Sequence, residues 1–309
     1  MRRVEGSAPE QGDAEEDPKV LYVIGAGRSG STILGITLGN CERVFYAGEL
    51  DKWLKRLGDP PLRGEERDRF WAQVREQVEI EPQLRGKATR SLEQSLGVLR
   101  FRSWRLQRRL AAPYRRLAGD LYGAIARTAG ATHVVDTSHF PRRARQLQKT
   151  PGIELYLLFV VRDPQSVVAS WGRDDVIEPQ FTERATNAYL WLTYLLSLAV
   201  FLRHPRRRRL LVRHEDFLAD PAAVIGDILA RSGADSPTPD FTALRTGIPF
   251  QGNRVAREEV VALSPPSPRA ARRSRMTAVL QLPWRAVFAV IGPVAGRSRK
   301  EAPAARQRV

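Results

Sequence analysis

The sequence predicts an α/β protein built around a mainly parallel sheet. Short apolar runs of strand character alternate with helical stretches along the chain. The first run, Lys19–Gly25, opens into a glycine-rich turn and then a helix. Asp-Pro pairs at 163–164 and 220–221 mark two later strand-to-helix junctions, with Asp as N-cap and Pro in the first helical position.

Residues 1–18 are polar and mixed in charge, with no apolar stretch, and read as a disordered leader before a single domain over 19–300. Lys19–Gly25 is short, β-branched and ended by glycine, so it reads as a buried strand; Gly30–Gly39 reads as a helix and "RVFYA" as a second strand running to Gly48. From about 52 to 130 the pattern is helical and highly charged, with breaks expected at Pro82, Gly86, Gly97 and Pro113. This stretch is expected to be a helical insertion that shapes a substrate cleft.

"THVVD" (132–136) is the next strand. "GIELYLLFVVR" (152–162) is the longest apolar run of strand character, and an unbroken run of that kind suits a central strand covered on both faces. A helix over 164–172, a strand over 208–217 ("RRLLVRHEDF") and a helix from Pro221 to about Arg231 follow. From about 232 the chain is proline-rich and loop-like. Ala188–Leu202 is apolar but only 15 residues long, below the roughly 20 that a spanning helix needs, and reads as a buried helix. "MTAVLQLPWRAVFAVIGPVAG" is interrupted by Pro283, Arg285 and Pro293; it reads as a docked C-terminal helix, with peripheral membrane contact through its basic flanks as the other reading.

The chain has 309 residues, 50 basic against 34 acidic, for a net charge of +16. That balance attracts anions, such as phosphate or sulfate esters, acidic lipid or nucleic acid, although arginine richness is also a habit of some genomes. With one cysteine, Cys41, no intrachain disulfide can form, which suits a reducing, cytoplasmic setting. The four histidines and the cysteine show no zinc spacing, so no metal site is expected.

The turn after the first strand reads "GAGRSGST", Gly25 to Thr32. It nearly matches the phosphate-binding loop G-x-x-x-x-G-K-[ST], with Gly25, Gly30 and Thr32 in register. Ser31 takes the place of the lysine, and a cation, Arg28, stands three residues earlier. Backbone N–H groups at the start of the following helix would converge on an anion, with the positive end of the helix dipole behind them. Ser29, Ser31 and Thr32 add hydroxyl donors. The missing lysine argues against an ordinary nucleotide triphosphatase, and Asp136 is the one candidate for the acidic residue that would help to hold magnesium in such a protein. A serine-hydrolase elbow lacks its final glycine here. A second anion site is suggested downstream by "RDPQSVVAS": Arg162 ends the long strand with a planar donor fork, and Ser170 follows eight residues later.

"GRSGST", followed in order by "GELDKW", "VVDTSHFPRRA", "RDPQSVVAS", "RHEDFLADP" and "GNRVAR", resembles the sulfotransferases that use 3′-phosphoadenosine 5′-phosphosulfate (PAPS), over about 18–260. The arginine in the loop is similar to that of the tyrosylprotein and carbohydrate sulfotransferases. The resemblance implies a P-loop-like three-layer fold and sulfuryl transfer to an acceptor hydroxyl without a metal. It implies that Arg28, Ser29, Gly30, Ser31 and Thr32 grip the 5′-phosphosulfate and that Arg162 and Ser170 grip the 3′-phosphate. Arg173 is a lesser candidate there, and Asn253 and Arg254 are expected near the donor. Arg28 would meet the charge growing on the leaving oxygen. Two residues compete as the general base. Glu49 resembles the catalytic Glu of the tyrosylprotein enzymes, and His139 the catalytic His of the cytosolic ones; the loop type favours Glu49, with His139 then steadying charge or orienting the acceptor. The acceptor is expected to be a small-molecule, lipid, sugar or phenolic hydroxyl. The competing readings are a P-loop kinase or NTPase, and a non-enzymatic basic binder of nucleic acid or acidic membrane; the latter has no specific nucleic-acid motif.

Overall fold

The computed structural model describes residues 16–85, 89, 92–94, 104–171, 182–264 and 274–295. Its centre is a five-stranded sheet in the order β2-β3-β1-β4-β5, parallel throughout. The strands are β1 (Lys19–Gly25), β2 (Val44–Gly48), β3 (His133–His139), β4 (Glu154–Val161) and β5 (Arg209–Arg213). Parallel strands need crossover connections, and helices supply them on both faces.

The period of two along each strand sorts the core into two layers. Val20, Tyr22 and Ile24 of β1 point with Leu155, Leu157 and Phe159 of β4 to one face. Leu21 and Val23 point with Tyr156, Leu158 and Val160 to the other. The first face is covered by α2 (Trp53–Arg56), α3 (Glu65–Glu76), α4 (Trp104–Ala129), α5 (Pro141–Leu147), α6 (Pro164–Trp171), α7 (Glu183–Leu202) and the C-terminal pair α10 (Arg275–Leu280) and α11 (Leu282–Ala295). The second is covered by α1 (Ser31–Gly39), α8 (His214–Ala219) and α9 (Pro221–Ser232). The expected three-layer architecture and parallel sheet are thus found. The described part of 52–130 is helical and lies between β2 and β3.

Both Asp-Pro pairs cap helices as read, Asp163 Oδ2 accepting from Ser166 N at 3.1 Å and Asp220 Oδ1 from Ala223 N at 3.0 Å, but the second joins α8 to α9 rather than a strand to a helix. Three expectations are corrected. Pro113 does not break its helix, because α4 runs through it and buries it along a continuous apolar stripe that includes Leu110, Tyr114, Leu117 and Leu121; packing outweighs the lost backbone bond. The strand expected over 208–217 ends at Arg213, and His214 starts α8, whose first turn carries Glu215 and Asp216, acids that suit a helix N-terminus. The loop-like part after 232 contains a two-stranded antiparallel sheet, β6 (Leu244–Arg245) with β7 (Val260–Val261). The breaks expected at Gly86 and Gly97, and Arg173, lie outside the described residues.

Candidate active site

The glycine-rich turn leaves the C-terminal end of β1, at the middle of the sheet, and leads directly into α1. Gly25 has φ 139°, and a Cβ there would strike the Val160 carbonyl on β4. Gly30 has φ 92°, and a Cβ there would occupy the ring of His214. Both positions therefore need glycine. Gly30 is also the N-cap of α1, and no side chain caps that helix, so its first-turn donors are left for a ligand or solvent. Ser29, Ser31 and Thr32 are buried, and the Ser29 hydroxyl, 1% exposed, has no hydrogen-bond partner in the protein.

Arg28 adopts φ 68°, a left-handed conformation uncommon for a side-chain-bearing residue. Its guanidinium lies over the Trp171 ring at 5.5 Å. Trp171 meets Tyr189 of α7 edge to face at 6.0 Å, and the Tyr189 hydroxyl accepts the Gly27 N–H at 3.1 Å. An aromatic pair from α6 and α7 thus seats both the arginine and the backbone of the loop.

The second anion motif touches the first. Arg162, just beyond β4, donates from Nη1 to the Arg28 carbonyl at 3.2 Å. Ser170 is half-buried near the end of α6. His139 ends β3 with φ 56°. It is brought to the loop: a Cβ built on Gly27 would stand 3.3 Å from Trp171 Cζ2, 3.6 Å from the Tyr189 hydroxyl and 3.8 Å from His139 Nε2. Glu49 follows β2, one strand further out on the same edge, with its N–H fixed by the Gln251 carbonyl at 2.8 Å. Its charge reaches Lys52. Burial works against that ammonium, but Asp51 at 2.7 Å, and Glu49 and Glu93 beyond it, outweigh burial and raise its pKa. Asn253 caps the short turn Arg254–Arg257, which packs against α1.

The sequence reading missed His214, Trp171 and Tyr189 at this edge. His214 is buried beneath Gly30, its Nδ1 has no partner, and burial, reinforced by Arg162, lowers its pKa to about 4. It is neutral at pH 7. Cys41 is buried, and burial pushes its thiol up to about 11, the mark of an inert cysteine.

Asp136 cannot serve as a magnesium ligand in its observed surroundings. It is fully buried; Oδ2 accepts from Tyr122 at 2.6 Å and from Arg143 at 3.2 Å, and Oδ1 accepts from the Ser138 N–H and hydroxyl. Arg143 also pairs with Glu93 at 2.8 Å. The carboxylate is therefore part of a sealed ion-pair network behind β3.

The sulfotransferase family model matches residues 19–238. No curated protein gives a significant match. Among solved structures, the sulfotransferase domain of the Synechococcus PCC 7002 olefin synthase aligns over 89% of this chain and 98% of its own, with a TM-score of 0.53 at 17% identity, a likeness of fold. The sulfotransferase domain from the curacin biosynthetic pathway aligns over 87% of this chain and 98% of its own, with a TM-score of 0.48 at 15% identity. With the family match extending from the first strand past the last strand of the central sheet, the chain belongs to the sulfotransferase family.

Proposed function

We propose that this sulfotransferase uses PAPS as its donor and transfers the sulfuryl group to an acceptor hydroxyl, leaving 3′-phosphoadenosine 5′-phosphate (PAP). The observation that carries the reading is the pairing of two anion motifs on one sheet edge, joined by the bond from Arg162 to the Arg28 carbonyl. A donor with two separated phosphate groups is what two such motifs fit. The residues present suit it: the loop offers uncapped helix donors, a buried Ser29 hydroxyl without a protein partner and the Arg28 cation. Bound there, the donor supplies an activated sulfuryl group.

The chain's own residues would then divide the work. Arg28 to Thr32 hold the 5′ side, and Arg162 and Ser170 the 3′-phosphate. Arg28 meets negative charge as it grows on the leaving oxygen, where a preorganised donor has most effect. Glu49 takes the acceptor proton. His139, with Nε2 beside Gly27, orients the acceptor or steadies its charge. That closeness to the loop favours His139 as the alternative base, since Glu49 lies a strand further out. The acceptor class is a hydroxyl on a small molecule, lipid, sugar or phenol. The kinase reading is weakened by the saturation of Asp136.

Thermal unfolding with nucleotides tests the donor. A ligand selective for the native state raises its melting temperature by mass action. PAP is expected to stabilise the protein clearly, and ATP, which lacks the 3′-phosphate, far less. Equal shifts with the two nucleotides would remove the role given to Arg162 and Ser170. Magnesium-dependent ATP hydrolysis by the purified chain would return the kinase or NTPase reading.

A further inference from the structure

Helices α7, α10 and α11 carry an apolar face that no described residue covers. Eleven large hydrophobic side chains are exposed among the described residues, and seven of them lie on these three helices. Leu195 is 56% exposed on α7, Val279 72% on α10, and Leu282 and Val290 61% and 71% on α11. The face is continuous across the helices: Trp191 of α7 donates from Nε1 to the Leu280 carbonyl at 2.9 Å.

Helix α11 is apolar on two sides. Trp284 and Phe288 pack inward on Tyr194 and Phe159. Leu282, Ala286, Ala289 and Val290 recur at intervals of four, seven and eight residues, so they share one stripe, and all four are exposed. The core accounts for the inner stripe and leaves the outer one unexplained.

The rim of this face is basic. Arg275 and Arg285 are exposed on α10 and α11, and Arg203 is exposed where α7 ends. The one acid in the three helices, Glu183, accepts a hydrogen bond from Thr277 at 2.7 Å. An outward apolar stripe with a tryptophan and an arginine rim matches the chemistry of a bilayer surface bearing anionic headgroups. A second copy of the chain fits less well, because a twofold contact would set the arginine rim against itself.

We infer that the α7–α10–α11 face docks on an anionic lipid bilayer. The same helices border the catalytic edge, through the bond of Tyr189 to Gly27 and that of Gln165 Nε2 to the Ser274 carbonyl at 2.8 Å. Docking therefore brings lipid-borne hydroxyls next to the site and favours an amphiphilic acceptor. That last step rests on the proposed transfer reaction; docking itself does not, and is measured without donor or acceptor.

The full chain is sedimented with vesicles of phosphatidylcholine alone or with about one third phosphatidylglycerol. It is expected to partition onto the anionic vesicles and to be released by high salt. Leu282→Asp with Val290→Asp should weaken partitioning by about tenfold or more, with the melting temperature kept because both side chains point outward. Arg275→Gln with Arg285→Gln should weaken binding to the anionic vesicles selectively. Absence of vesicle binding, or equal partitioning of the L282D/V290D variant and the parent, overturns the inference. So does a solution dimer, seen by sedimentation velocity, that L282D/V290D breaks while neither protein binds vesicles; the face would then belong to a second copy.

Discussion

At the scale of single residues, two of the four non-glycine positions with positive φ among the described residues, Arg28 and His139, are residues the sequence had marked as catalytic candidates. Such backbone conformations cost energy and persist where surrounding contacts enforce them. At Arg28 the enforcing contacts are the Arg162 bond to its carbonyl and the Trp171 ring under its guanidinium. If this cation acts mainly as charge develops, Arg28→Ala should lower kcat on the order of 10²–10³ while PAP still raises the melting temperature. Arg28→Lys should keep part of the activity, because the charge remains but the planar group that lies on Trp171 is lost. Near-normal turnover of Arg28→Ala would refute the role. The base is tested separately. Glu49→Gln keeps the shape without the proton acceptor, so transfer should collapse with PAP binding retained, and His139→Gln should be milder. The reverse ranking hands the base to His139. The loop residues were legible because they are consecutive in the chain. Tyr189 was not, since an apolar helix containing a tyrosine reads as core, and its partner Gly27 is 162 residues away.

At the scale of elements, β3 is anchored by the network behind it. Arg143 of α5 ties Asp136 of β3 to Glu93, and Tyr114 and Tyr122 of α4 complete the set. All five side chains are buried. This holds the helical insertion against the strand that ends in His139. Removing the shared cation leaves buried carboxylates uncompensated, so Arg143→Met should destabilise the fold by about 3–5 kcal/mol, read from denaturant unfolding. A loss below about 1 kcal/mol, the scale of an exposed ion pair, would mean that the network adds little. Most elements were legible from their apolar runs and Asp-Pro caps. Pro113 and the end of β5 were not, for one physical reason: local signals were overridden by packing in α4 and by a helix start hidden inside an apparently strand-like run. Asp136, considered as a magnesium ligand, belongs to this anchor, and its pairing with Arg143 depends on the turn that brings α5 back against β3.

At the scale of the whole molecule, the parallel sheet was readable because strands covered on both faces need unbroken apolar runs, whereas the order β2-β3-β1-β4-β5 depends on pairings between distant segments that no local pattern records. Folding also buries titratable groups of opposite tendency. His133, His204 and His214 have lowered pKa values, chiefly from burial, with His214 at about 4. At these groups the unfolded chain then binds more protons than the native one below the usual histidine value of 6.5, and at His214 it does so down to about pH 4. Stability from these histidines is therefore present above pH 6.5 and is lost as the pH falls below it, for His214 down to about 4. For His214 alone this amounts to roughly 3 kcal/mol over the full span. Glu93 acts in the other direction. Burial, only partly opposed by Arg143, pushes it up to about 7 from 4.5. The native state then holds the extra proton in that window, and stability falls as the pH rises through it. The two tendencies oppose each other between pH 5 and 7. Glu93→Gln removes the opposing group. Its melting temperature, whatever its absolute value, should climb more steeply from pH 5 to 7 than that of the parent, and His214→Gln should climb less steeply. Parallel curves for all three proteins would show that neither group is protonated differently in the native and unfolded states.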